Sequence, residues 1–71
     1  MSKYIVIGVG DTAWGEESYL LGVSDDLEEA KKLGNNGPSY VKIDGEKLYY
    51  THVRIFEVGK FEAVWPKYLR K

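Results

Sequence analysis

A chain of 71 residues, 44% hydrophobic and 30% charged, has room for one small folded domain with a modest core. Its net charge of −1 supplies no field that would draw nucleic acid or an anionic membrane, and no apolar run approaches a membrane span. The absence of cysteine excludes disulfides, thiolate zinc sites and a cysteine nucleophile, and fits a reducing, cytoplasmic interior. Chains of this size often need a staple, and with disulfides excluded, self-association suits the composition best.

Met1-Ser2-Lys3 leads straight into a strand pattern and is too short for a signal peptide. Tyr4–Val9 reads YIVIGV, rich in β-branched residues and apolar on both faces, and predicts a first strand. Gly10–Glu17 (GDTAWGEE) reads as a polar loop bounded by glycine and carrying Trp14. Ser18–Val23 predicts a second strand. The connection is too short for a crossover helix, so the two strands should form an antiparallel hairpin.

SDDLEEAKKLG follows. Asp25 is placed to accept a hydrogen bond from the first helical turn, with Glu28 reaching back to complete a capping box. Acidic residues crowd the start, Lys31 and Lys32 lie near the end, and Gly34 suits the position after the last turn. Leu27, Ala30 and Leu33 make a narrow apolar stripe, so a helix of about two turns is predicted over Leu27–Leu33.

Asn35-Asn36-Gly37-Pro38 is a loop, Tyr40–Ile43 a strand and Asp44-Gly45 a tight hairpin turn. Leu48–Val58 is the longest predicted strand, Gly59-Lys60 a second tight turn, and Phe61–Val64 a short last strand that Pro66 ends. Residues 65–71 form a basic, aromatic tail. Together these predict one α+β domain over residues 1–71, of order ββαβββ: a twisted, mainly antiparallel sheet with one short helix on one face. A curled sheet approaching a small barrel, burying its own inner face, is the alternative.

Strict alternation along the long strand puts Tyr49, Thr51, Val53 and Ile55 on one face, read as the helix-covered core. Leu48, Tyr50, His52, Arg54 and Phe56 fall on the other, and a one-residue bulge would swap the sets beyond it. Apolar strand surface therefore exceeds what a two-turn helix covers. The rest must be shielded by the tail or by a partner.

Gly8-Val9-Gly10-Asp11-Thr12-Ala13 matches the opening of a dinucleotide fingerprint, but the βαβ unit that gives those glycines their use is missing. Asp11, Glu16 and Glu17 do not follow the calcium-loop spacing and read as a solvated acidic loop. His52, the one histidine, cannot build a multi-histidine metal site, and no nucleophile is placed beside it by the pattern, since Thr51 should point to the opposite face. No catalytic residue, metal site or cofactor is expected, and the protein reads as no enzyme.

Trp14, Trp65 and Tyr68 suit anchoring to a partner, although for Trp65 and Tyr68 the tail could equally fold back over the second sheet face, with Trp65 completing this chain's own core. The expected function is a non-enzymatic protein-interaction module, a homodimer or a phage-type small regulator or inhibitor that caps a host protein. Its contact residues would be Trp14, Tyr50, His52, Arg54, Phe56, Trp65 and Tyr68. The alternative is single-stranded nucleic-acid binding, with bases stacked on the Tyr50, His52 and Phe56 rings and Arg54 meeting phosphate.

A hairpin, an LEEAKK helix and then further strands, carried by Tyr4–Val9, Leu20–Val23 with Ser24, and Leu27–Leu33, resembles small uncharacterised α+β domains of bacterial and phage genomes. The resemblance covers under half of the chain. It implies an α+β fold and carries no functional residues.

Overall fold

The computed structural model describes residues 2–68. Its elements are β1 (Tyr4–Thr12), β2 (Gly15–Ser24), α1 (Leu27–Asn36), β3 (Tyr40–Ile43), β4 (Glu46–Glu57) and β5 (Ala63–Tyr68). Every pairing is antiparallel, in the order β2-β1-β4-β3, with β5 also on β4. β4 serves two partners in turn: Glu46–Tyr49 pair with β3, and His52–Phe56 pair with β5. The sheet curls into a half-barrel with the helix on one face, as the ββαβββ reading expects.

The first hairpin is tighter than its composition suggested. GDTAWGEE is not a loop; the strands run on to Thr12 and Gly15, leaving Ala13-Trp14 as the turn. Thr12 closes it. Its hydroxyl donates to the Gly15 carbonyl (2.8 Å) and accepts from the Trp14 N–H (3.1 Å). Side-chain turns of this kind let polar residues continue a ladder at its solvated end.

The helix also differs from expectation at both ends. Asp26, not Asp25, is the cap and accepts from the Glu28 N–H, while the Ser24 hydroxyl takes the Asp26 N–H. Gly34 does not stop the helix, which continues to Asn36 and closes with the Gly37 N–H on the Leu33 carbonyl (2.9 Å). Gly34 is there for space: a Cβ on it would stand 2.8 Å from the Trp65 ring.

The last strand begins at Ala63, after a loop rather than a two-residue turn, and runs through Pro66 to Tyr68. Proline is tolerated in an edge strand, where a missing donor need not break a ladder. The expected ending of the ladder at Pro66 is thus corrected. Of the predicted tail, residues 69–71 lie outside the described residues.

Val6, Ala30, Val53 and Ile55 are fully buried and form the core, with Tyr4, Leu21, Leu27, Leu33 and Trp65 packed around them. Burying such aliphatic side chains is the main favourable term in folding a chain this short.

Candidate functional site: the sheet face opposite the helix

The two faces are sorted by register. Along β1, Val6 lies opposite Ile55, Gly8 opposite Val53 and Gly10 opposite Tyr50, all on the helix side. Between Val9 and Gly10 the register slips, because β4 carries one extra residue, Thr51. That bulge swaps the pattern beyond it. Tyr50 therefore does not share a row with His52, Arg54 and Phe56. It is buried on the helix side, its ring over Gly8, where a Cβ would come within 2.7 Å. Burial pushes its phenol pKa up from the ordinary value.

Trp65 is likewise on the helix side, opposite Ile55 and against Gly34, so it completes this chain's own core. Trp14, at the hairpin tip, is 94% exposed. Tyr68 sits opposite His52, with the ring centroids 5.6 Å apart edge-on, and is largely exposed.

The other face is laid out in three rows across the strands. Val23, Ile5, Phe56 and Ala63 make the first, Leu20, Ile7, Arg54 and Pro66 the second, and Ser18, Val9, His52 and Tyr68 the third. Ile5, Ile7 and Phe56 are half-buried, whereas Leu20 is 65% and Val23 51% exposed. Arg54 makes no ion pair among the described residues. The surface is mainly aliphatic, with one guanidinium near its middle.

His52 is 7% exposed. The bulge brings the Thr51 hydroxyl within 2.8 Å of its Nδ1, contrary to the expectation that the two point apart, and the same hydroxyl reaches the Val9 carbonyl at 3.2 Å. A carbonyl only accepts. Both contacts are satisfied when Thr51 donates to Val9 and accepts from Nδ1–H. Nε2 is buried with no hydrogen-bond partner among the described residues. This polarity is the reverse of what a base-activated hydroxyl needs.

Asp11 lies opposite Glu16 at the hairpin end, and the Tyr19 hydroxyl donates to Glu17. That hydrogen bond, then desolvation, raises the Tyr19 phenol pKa. Among the described residues, no three acidic or histidine side chains converge as metal ligands would, and no helix is long and apolar enough to cross a membrane. No family model, curated protein or solved structure matches the chain.

Sequence reasoning placed the site on the aromatic residues of β4 and missed Ile5, Ile7, Leu20 and Val23. Their alternation is visible in YIVIGV and YLLGV, but which alternate set faces the helix depends on strand pairing and on a second bulge, where β2 carries Leu21 as its extra residue.

Proposed function

We propose that the protein is a non-enzymatic interaction module that works as a homodimer. Contact is made through the sheet face opposite the helix, above all at its β2 margin. The observation that supports this is the exposure of Leu20 and Val23 beside half-buried Ile5, Ile7 and Phe56, with α1 packed on the other side. Apolar surface removed from water contributes about 25 cal/mol per Å2, and the core of a homodimer contact is richer in such surface than the rest of a protein's exterior.

With Tyr50 in the core, the face is aliphatic rather than an aromatic stacking platform, which favours protein contact over single-stranded nucleic acid. The cysteine-free composition supports a reducing, cytoplasmic setting. Leu20→Glu tests the proposal. By sedimentation velocity the variant should run as a monomer while its far-UV circular dichroism stays that of the parent chain. A Leu20→Glu protein that dimerises as strongly as the parent would remove the proposed surface.

A further inference from the structure

Beyond the row of Ser18, Val9, His52 and Tyr68 the uncovered face becomes charged. Asp11 follows Val9 by two residues on β1 and pairs with Glu16 of β2, so both carboxylates belong to this face. On β4 the Thr51 bulge sends Tyr50 to the helix side and leaves Tyr49 on this one, opposite Tyr40 of β3. Lys47 and Lys42 pair one step further out, and Lys47 Nζ stands 4.8 Å from the centre of the Tyr40 ring, which fixes them to the same side. Asp11, Glu16, Lys42 and Lys47 are exposed, and none makes an ion pair among the described residues. Strand order puts the acidic pair on β1 and β2 and the basic pair on β4 and β3. One face thus carries opposite charges on opposite margins, beside a shared apolar centre.

We infer that two copies pack face to face about a two-fold axis running along the strands, between β1 and β4, so that the acidic hairpin of each lies on the basic hairpin of the other. The occupant is a second copy of the chain, because this rotation makes the surface its own complement in charge. β2 then lies over β3 and β5 of the other copy, and β1 over β4. Glu16 comes down beside Lys42 and Lys47, and Asp11 beside Lys47. Sheets packed face to face stand about 10 Å apart, a gap these side chains span together. Further along the strands Ile5 meets Phe56, Leu20 meets Pro66 and Val23 meets Ala63, so the apolar rows are covered. Arg54 lays its methylene stem along Ile7. Charge selects the axis. A two-fold across the strands, through the Val9 and His52 row, would set Glu16 on Leu20 and Asp11 on Ile7 of the other copy. Carboxylates would then lose water to aliphatic surface, and Lys42 and Lys47 would gain no counter-charge.

The inference rests on the homodimer proposal and adds the axis and the ion pairs. A charge swap tests it. Within one chain β2 and β3 are three strand spacings apart, about 14 Å at the usual separation, so Glu16 and Lys42 meet only between copies. Both side chains are exposed, and reversing them leaves the core alone. In sedimentation equilibrium at low salt, Glu16→Lys and Lys42→Glu should each raise the dimer dissociation constant about tenfold, since every contact occurs twice about the axis. The double variant restores the pairing with its signs exchanged and should return to within about threefold of the parent. A dimeric parent whose double variant associates no more tightly than the single ones would overturn this packing and leave the homodimer standing. A parent that is monomeric at every concentration would overturn both.

Discussion

A single hydroxyl sets the local chemistry of β4. Thr51 Oγ1 reaches both the Val9 carbonyl and His52 Nδ1, at the residue that bulges from the strand. Thr51→Val keeps the shape and removes both hydrogen bonds, leaving Nδ1 of a buried ring unpaired. We expect a loss of about 1–3 kcal/mol in urea unfolding, with Thr51→Ser retaining most of the stability; equal stability of the valine and serine variants would show that the hydroxyl is not holding the ring. At Gly34, alanine's better helix propensity is worth about 1 kcal/mol, against typically 1–3 kcal/mol for overpacking. With the Trp65 ring only 2.8 Å from the new methyl group, Gly34→Ala should lower the melting temperature. Tyr50 gives a pH signature. Its phenol is raised by burial, so above pH 10, the ordinary tyrosine value, the unfolded chain loses the proton while the folded chain holds it, and stability falls as pH rises. Tyr50→Phe should flatten part of that alkaline decline in thermal melts taken upward from pH 10. The burial of Tyr50 was not legible in the sequence, since alternation alone puts it beside His52, and only the pairing with β1 reveals the extra residue that turns it over.

At the scale of elements, legibility followed how local the determinants were. Tyr40–Ile43 and the Asp44-Gly45 turn form where the sequence predicts them, because the turn is encoded by two adjacent residues. Both have positive φ, 52° and 84°, the requirement of the two-residue hairpin turn that matches strand twist. Gly45→Ala should therefore cost about 1–2 kcal/mol, measured by thermal unfolding, and a neutral result would mean that the turn rearranges freely. The helix was legible in its stripe and its acidic start but not in its end, because Gly34 answers to Trp65, which is distant in sequence. β5 was misjudged for a related reason: proline ends a central ladder but not one on an edge, and edge position is a property of the assembled sheet.

For the whole molecule, the strand-to-helix imbalance is visible from composition and periodicity, and the sheet bears it out, with core residues on the helix side and Leu20 and Val23 in water on the other. Which residues form the uncovered face was not legible, because three bulges, at Thr51, Leu21 and Val64, decide which side each segment presents. Trp65 supplies cover only on the helix side, so the tail as far as Tyr68 leaves Leu20 and Val23 exposed. The most direct measurement is the solution mass of the unmodified protein by light scattering over a wide concentration range. Self-association predicts a rise from the chain mass of 8.1 kDa towards twice that value as concentration increases. A mass that stays at 8.1 kDa throughout would contradict it.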